Sequence, residues 1–186
     1  MKKKADVVII GGGINGCSLA YNLAKKKVDV VVVEKNYLSS GATGACGAGI
    51  RQQWSTIENA KLSIESVKIF EKLSKELDQD IEFRQGGYLI AVHDEKELIQ
   101  AEKNVAMQRS LGLKVDILDV GKINSIIPIL DVKGMNVIGA TFCPTDGHAN
   151  PFKTNFAYAY AARINGAEIY THTKVKRIKI CWTIKI

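Results

Sequence analysis

The amino-acid sequence predicts an α/β fold that begins with a strand–helix–strand unit. Residues 5–10 and 28–33 are two β-branched runs, and between them apolar residues recur at helical spacing from Ile14 to Ala24. A strand, a glycine-rich turn, a helix and a second strand within about 30 residues are typical of a βαβ unit. We therefore expect two buried parallel strands joined by a right-handed crossover through the helix.

The rest of the chain continues this mixture of helices and strands. A small-residue loop follows at residues 37–49, and apolar spacing predicts a long amphipathic helix over residues 56–77. Apolar runs at 81–83 and 88–92 flank Gln85-Gly86-Gly87, which predicts a hairpin. The later patterns predict a helix at 95–111 capped by Asp94, a strand at 115–118, a helix at 120–126, a strand at 137–143, a helix from Pro151 to about Asn165, and strands at 168–170 and 174–180.

Composition and charge exclude several classes of protein. The chain has 186 residues, of which 46% are hydrophobic and 24% charged, as in soluble globular proteins. This excludes a disordered tail, a collagen-like fibre and a disulfide-stabilised miniprotein. The net charge is +7, but the basic residues are scattered and form no Arg-rich run. We therefore expect no nucleic-acid partner, because a nucleic-acid face concentrates its charge.

Neither a membrane segment nor a metal site is expected. The longest uncharged stretch, Val7 to Ala24, contains three consecutive glycines, whereas a spanning helix needs about 20 predominantly apolar residues. The four cysteines form no CxxC pair and no metal-ligand spacing; they are Cys17, Cys46, Cys143 and Cys181. Scattered thiols are typical of a reducing compartment, so the sequence predicts a cytoplasmic protein.

A glycine motif at the first strand–helix turn predicts an adenine dinucleotide site. In Gly11-x-Gly13-x-x-Gly16, the first glycine allows a tight turn, the second lets the backbone approach a pyrophosphate, and the third lets helix and strand pack closely. The phosphates would then lie on free N–H groups at the positive end of the helix. Glu34 ends the second strand 18 residues after Gly16, where its carboxylate can bind a ribose hydroxyl pair and would repel the 2′-phosphate of NADP.

The loop that follows Glu34 bears on whether the dinucleotide is NAD or FAD. Residues 39–51 are rich in Gly, Ser, Thr and Ala. Hydroxyls and bare backbone in this place could follow an extended cofactor from its ribose end towards a flavin ring, which favours FAD. The same composition is also typical of a flexible surface loop, so an NAD-dependent dehydrogenase remains an alternative.

Several motifs in consecutive order resemble one family. They are VVIIGGGINGCSLAYNLA, VVVVEK, SSGATGACGAGIRQQW, FRQGGYLIAV, DGHANPFKTNFAYAYAARINGAEI and THTKVKRI. Together, over about residues 5–180, they are similar to the N-terminal half of the FAD-dependent amine and amino-acid oxidases, which include glycine oxidase, sarcosine oxidase and D-amino-acid oxidase. Within this family the motifs resemble those of sarcosine oxidase β-subunit-like proteins and dye-linked proline dehydrogenase subunits.

The resemblance implies a role for each matching residue. It places the pyrophosphate on Gly11, Gly13, Gly16 and the backbone of Ile14 and Asn15, the ribose on Glu34, and the adenine end near Lys35 and the backbone of Val175. It places the phosphate and ribityl groups by Ser40, Ala42 and Thr43, and the flavin ring by Gly47, Gly49 and Ile50. Thr43 stands where the family usually has a second Ser and keeps the hydroxyl.

One residue is implied to bind substrate. Arg51 matches an Arg that pairs with a substrate carboxylate in related enzymes, and a planar guanidinium suits that contact, although a surface or phosphate-binding Arg is an equal alternative. His148 is expected to cap the next helix rather than to act in catalysis. We assign no role to His93 and His172, and we expect the aromatic side chains to serve packing; these are Trp54, Tyr158 and Tyr160.

The resemblance also implies a domain plan and a reaction. Residues 1–80 and 149–186 would form a Rossmann-like FAD-binding domain, and residues 81–148 the first part of a substrate domain with a mixed sheet. The implied reaction oxidises the C–N bond of a small amine or amino acid by hydride transfer to flavin, with partner subunits of a hetero-oligomer as a further implication. The resemblance gives way at residues 181–186, so we expect a truncated N-terminal fragment with little activity alone. A non-catalytic product that binds only the dinucleotide is the remaining alternative.

Overall fold

A computed structural model describes residues 2–180, and it confirms the α/β class. In chain order the elements are β1 (Val7–Ile10), α1 (Ile14–Lys25), β2 (Val30–Val33), α2 (Ala42–Ala45), β3 (Gly49–Ile50), α3 (Ile57–Glu76), β4 (Tyr88–Val92), α4 (Glu95–Ser110), β5 (Asp116–Leu118), α5 (Val120–Ile126), β6 (Gly139–Cys143), β7 (Gly147–His148), α6 (Pro151–Ile164) and β8 (Glu168–Tyr170). The predicted change of resemblance at residues 181–186 lies outside the described residues.

The chain divides into two compact units. The first contains the residues up to Gly47, Leu77–Ile81 and the residues from Asn150 onward, and the second contains Ala48–Glu76 and Glu82–Ala149. Residues 48–76, which the sequence places with the FAD-binding segment, therefore group with the second unit. The assignment of the units to cofactor and substrate stays a prediction.

A three-stranded parallel sheet in the order β1-β2-β8 forms the centre of the first unit. β2 is the middle strand, and its four valines are buried. β1 pairs with β2 only, and Val8 and Ile10 on one of its faces are 57% and 58% exposed. The expectation of two buried parallel strands is therefore right for β2 and wrong for β1, because no described element covers this face of β1.

Two helices of the first unit, α1 and α6, pack against each other. The rings of Tyr21 and Tyr158 meet in this contact, with their centroids 5.8 Å apart. Asn150 caps the start of α6, as its oxygen accepts the N–H groups of Phe152 and Lys153 at 3.1 Å each. The predicted start of this helix at Asn150-Pro151 is thus present, and α6 leads the chain into β8.

The second unit is built on antiparallel strands. Its larger sheet has the order β4-β6-β5, and a separate pair joins β3 to β7. Apolar side chains from β5, α5, the following loop and β6 form one of its cores; they are Leu118, Ile123, Val132, Val137 and Ala140. The described strands of this unit are all antiparallel, whereas the resemblance implies a mixed sheet.

Two predicted strands are absent from the structure. Residues 81–83 form no strand, and Arg84 instead exchanges backbone hydrogen bonds of 2.9 and 3.0 Å with His148. β4 pairs with β6, so the predicted hairpin is wrong. The strand predicted at 174–180 is also wrong, because these residues have no strand partner in the described part of the chain and remain mostly exposed.

The helices were also compared with what a membrane-spanning segment requires. Within residues 2–180, no helix has both the length and the apolar character that crossing a membrane requires.

Candidate functional site

Two glycines shape the turn between β1 and α1 in opposite ways. Gly11 has φ of +113°, a backbone conformation that favours glycine, and the space where its Cβ would lie is open. A Cβ on Gly16 would overlap the carbonyl oxygen of Gly11. Gly16 therefore lets the first turn of α1 lie directly on the end of β1, while Gly11 keeps the turn accessible.

The N-terminus of α1 presents hydrogen-bond donors without acceptors. Its N-cap is Gly13, which has no side chain to accept them. The N–H of Ile14 donates to Thr43 Oγ1 at 3.0 Å, but the N–H groups of Asn15 and Gly16 have no acceptor among residues 2–180. Unpaired N–H groups at the positive end of a helix can bind an anion such as a phosphate.

The carboxylate of Glu34 binds the backbone on both sides of this site. One oxygen accepts the N–H of Gly12 at 2.7 Å, and the other accepts the N–H of Asn36 at 2.8 Å. Burial raises the pKa of Glu34, but the N–H groups of Asn36 and Gly12, with help from Lys35 and the Ser40 hydroxyl, outweigh it and bring the pKa below its ordinary value. Glu34 is therefore held as an anion at the end of β2, and its remaining lone pairs can accept further hydrogen bonds.

The small-residue loop, residues 37–49, makes two contacts with the turn between β1 and α1. This turn, residues 11–13, is called the glycine turn below. The N–H of Ser39 donates to the carbonyl oxygen of Gly12 at 3.2 Å, and Thr43 accepts from α1 as described. A Cβ on Gly13 would lie 3.0 Å from Thr43 Oγ1, a tight contact that glycine avoids. The loop includes the short helix α2, which the sequence did not indicate.

Asn155 is a site residue that the sequence analysis missed. It lies on α6 with 0% of its side chain exposed, and its Nδ2 donates to the Gly12 carbonyl at 2.9 Å and to Ser39 Oγ at 2.7 Å. Its Oδ1 has no partner among the described residues. The available signal was an asparagine within an alanine-rich helix, since Asn is unfavourable in helix interiors unless its side chain has a separate role.

The other residues predicted in the first unit lie at the surface. Lys35, Ala42 and Gly47 are exposed, and Ser40 is partly buried next to Glu34. Val175 is exposed and lies outside any strand, because the strand predicted for it does not form. The cofactor contacts that the resemblance implies for these residues stay predictions.

In the second unit, Arg51 follows directly on β3. Its guanidinium carbon lies 4.2 Å from the centroid of the Trp54 ring, and Trp54 Nε1 donates to the Arg51 carbonyl at 3.1 Å. The guanidinium N–H groups have no acceptor among the described residues. Trp54, for which we expected packing only, therefore supports a cation whose donors are free to bind a carboxylate.

A buried carboxylate fixes the backbone after Arg51. Asp146 is 0% exposed; its Oδ1 accepts the backbone N–H and the Nε2 of Gln52, both at 2.9 Å, and its Oδ2 accepts Gln53 Nε2 at 3.1 Å. Thr141 donates to Gln53 Oε1 at 2.6 Å and extends the network. This network ties residues 52–53 to the turn before β7.

His148 and its neighbours take a different place from the predicted one. His148 lies in β7, where its backbone pairs with Gly49 and with Arg84, and Asn150 rather than His148 caps α6. The expectation that this histidine caps the helix is wrong. Of the Asp146-Gly147-His148 segment, the aspartate makes the buried contacts.

The buried thiols are poorly suited to act as nucleophiles. Burial raises the pKa of Cys17 to about 11, and burial likewise raises the pKa of Cys143. Cys46 is exposed, and Cys181 lies outside the described residues. Within residues 2–180, no three His, Cys, Asp or Glu side chains are grouped so as to hold a metal ion.

Comparison with known proteins relates these features to one family and to three relatives. The family model for FAD dependent oxidoreductase matches residues 6–185. Sarcosine oxidase subunit beta of Arthrobacter sp is 31% identical over 179 residues, which cover 94% of this chain and 44% of that protein. The crystal structure of L-proline dehydrogenase from P. horikoshii is 36% identical with a TM-score of 0.87, over 95% of this chain and 46% of that one. That of glycine oxidase from Geobacillus kaustophilus is 28% identical with a TM-score of 0.85, over 94% and 48%.

The extent of these matches is unequal in the two directions. The chain is covered almost completely, yet it spans less than half the length of each of the three relatives.

Proposed function

Because the chain belongs to the family of FAD-dependent oxidoreductases, we propose that its first unit holds the adenosine and pyrophosphate part of FAD. The observation that carries this proposal is the start of α1, where N–H groups without acceptors lie beside the carboxylate of Glu34. The residues fit the cofactor, since the space beside Gly11 is open and the N–H groups of Asn15 and Gly16 can bind phosphate oxygens. Family membership also favours FAD over the NAD-dependent alternative.

Several of the proposed contacts use groups that the structure leaves available. The backbone N–H groups of Gly13, Asn15 and Gly16, which have no acceptor among residues 2–180, would bind the pyrophosphate, with Gly11 keeping the turn open. Thr43 accepts from Ile14, and its own hydroxyl proton is left to donate to a phosphate oxygen. Glu34 would accept from the ribose hydroxyls. The remaining contacts rest on the resemblance alone; they involve Lys35, Ser40, Ala42, Gly47, Gly49, Ile50 and Val175.

For the whole protein we propose oxidation of a small amino acid or secondary amine. Bound FAD supplies the two-electron acceptor for a hydride from the carbon next to the amine nitrogen. The relatives are named for sarcosine, L-proline and glycine, and each of these molecules carries a carboxylate. Arg51 would hold that carboxylate with two parallel hydrogen bonds, because its stacking on Trp54 leaves the edge of the guanidinium free.

We propose further that the 186 residues alone have little activity. The chain spans less than half the length of its relatives, and one face of β1 is exposed. Exposed apolar side chains at a sheet edge favour self-association.

Partner subunits are also proposed, because one relative is named as a subunit. A cytoplasmic location rests on the scattered cysteines.

Titration of the purified chain with FAD and NAD tests the cofactor assignment. We expect saturable binding of FAD by calorimetry and absorbance near 450 nm in the recovered protein, with weaker binding of NAD. A protein that binds NAD and not FAD would contradict the proposal.

The substrate assignment requires a longer form of the protein that spans the length of its relatives. Such a form, assayed with sarcosine, glycine and proline and a dye acceptor, is expected to oxidise at least one of them. Stoichiometric flavin and steady turnover by the 186-residue chain itself would show that the proposal of low activity is wrong.

A further inference from the structure

The amide of Asn155 connects two loops of the first unit. It is fully buried on α6, and its two Nδ2 hydrogens are both used, one on the carbonyl oxygen of Gly12 and one on Ser39 Oγ. Gly12 belongs to the glycine turn and Ser39 to the small-residue loop. A single side chain therefore joins the turn and the loop to the helix packed on α1.

Gly12 is fixed from several directions. Its N–H donates to Glu34 at 2.7 Å, and its carbonyl oxygen accepts from Asn155 at 2.9 Å and from the N–H of Ser39 at 3.2 Å. The peptide that follows Gly12 thus has little freedom to rotate.

The orientation of this peptide determines where the next donor points. A peptide bond is planar, and in the trans form its N–H points opposite to its C=O; no cis bond occurs among the described residues. Because the carbonyl of Gly12 points towards Asn155, the N–H of Gly13 points away from α6. That N–H has no acceptor among the described residues and lies next to the free donors of Asn15 and Gly16.

Building on the proposed FAD site, we propose that Asn155 is a positioning residue for pyrophosphate binding. By holding the Gly12 carbonyl, it keeps the Gly13 N–H directed outward beside the start of α1. Its Oδ1 is buried without a partner among residues 2–180, which is unfavourable. An apolar side chain would avoid this cost, so packing alone does not explain an asparagine at this position. The amide donor is thus the feature of this side chain that the structure uses.

The test compares Asn155→Leu and Asn155→Ala with the control Thr154→Val. Leucine keeps the volume and alanine suits a helix, but both remove the donor. Thr154 is the adjacent buried residue, and its hydroxyl donates to the Asn150 carbonyl at 2.7 Å within the same helix region. For each variant of the 186-residue chain we would measure the Kd for FAD by calorimetry and the Tm without FAD.

The Asn155 and Thr154 variants should differ in FAD affinity but not in stability. Both Asn155 variants should lower the Tm and raise the Kd for FAD at least tenfold. Thr154→Val should lower the Tm as much as they do, but leave the Kd within about twofold of the unmodified chain. Equal effects of the Asn155 and Thr154 variants on Kd at matched Tm would overturn the positioning role.

A second measurement does not depend on FAD. The amide signal of Gly13 in the flavin-free protein should shift in NMR spectra of the Asn155 variants and stay unchanged in Thr154→Val. An unchanged Gly13 amide would overturn the proposal even if the variants bind FAD weakly. If the unmodified chain binds no FAD, the cofactor assignment fails, and the Gly13 measurement still decides whether Asn155 orients this peptide.

Discussion

The turn at Gly12 and the segment at Gln52 are both fixed by a distant buried polar side chain, but the chemistry of the two contacts is opposite. In the first unit, the neutral amide of Asn155 donates to a carbonyl and a hydroxyl. In the second unit, the carboxylate of Asp146 accepts three N–H hydrogen bonds. A buried charge requires several donors at once, so the Asp146 network should be more sensitive to substitution than the Asn155 contacts.

The largest expected effect tests this ranking. Asp146→Asn keeps the shape but places an NH₂ group or a weaker acceptor against three N–H donors, which should reduce the free energy of unfolding by about 3 kcal/mol. Asp116→Asn is the control, because Asp116 is exposed and its ion pair with Arg109 is expected to contribute less than about 1 kcal/mol. Urea unfolding measures both. A smaller loss for Asp146→Asn than for Asn155→Leu would reverse the ranking.

Glu34 resembles Asp146 in chemistry, because its carboxylate accepts backbone N–H groups, and it is also proposed to bind the ribose. Glu34→Ala should weaken FAD binding by about 1.5–3 kcal/mol, the range for hydrogen bonds to charged groups. Calorimetric titration of the flavin-free chain at matched salt measures this, with Asp29→Asn as a control at an exposed acid that pairs with Lys2. Unchanged affinity in Glu34→Ala would remove this residue from the site.

Arg51 tests whether the segment fixed by Asp146 serves the substrate. In an active form of the protein, Arg51→Lys keeps the charge but loses the planar pair of donors. The kcat/KM for a carboxylate-bearing amine should then fall on the order of tenfold or more. The flavin content should stay near normal. If the variant loses flavin but keeps its kinetics per bound flavin, Arg51 contacts the cofactor instead.

The smallest effect concerns the pH dependence of stability, to which Glu34 in the first unit should contribute. The pKa of Glu34 in the folded chain is below its ordinary value. The charged carboxylate therefore stabilises the fold fully when the pH is above the ordinary pKa, and this contribution is lost as the pH falls through the folded pKa. Unfolding of the unmodified chain and of Glu34→Gln, followed from pH 7 to pH 3, should show a stability difference that shrinks at the acid end. A difference that is constant with pH would contradict this origin.

Local patterns were sufficient for the elements that hold the glycine turn. The β-branched runs and the helical spacing between them predicted β1, α1 and β2, and the motif predicted the turn, because each depends on neighbouring residues. The consecutive motifs, through the family that they resemble, were sufficient to predict the fold class and FAD as the cofactor, and the family match confirms both predictions.

Contacts between distant residues could not be predicted in the same way. Asn155 lies 143 residues from Gly12, and Asp146 lies 94 residues from Gln52, so no local pattern reports either hydrogen bond. The hairpin prediction failed for the same reason, since the partner of β4 is β6 rather than the adjacent run. The exposure of one face of β1 could not be predicted either, because a β-branched run indicates a strand but not which elements pack against it.

The stacking of Arg51 on Trp54 gives this protein a natural optical reporter. The sequence contains two tryptophans, Trp54 and Trp182, so Trp182→Phe leaves a single indole. We expect a guanidinium 4.2 Å from the ring to affect the emission of that indole. If a carboxylate binds Arg51 as proposed, this effect should change, and the emission of Trp54 would then report occupancy at Arg51 without a label or a turnover assay.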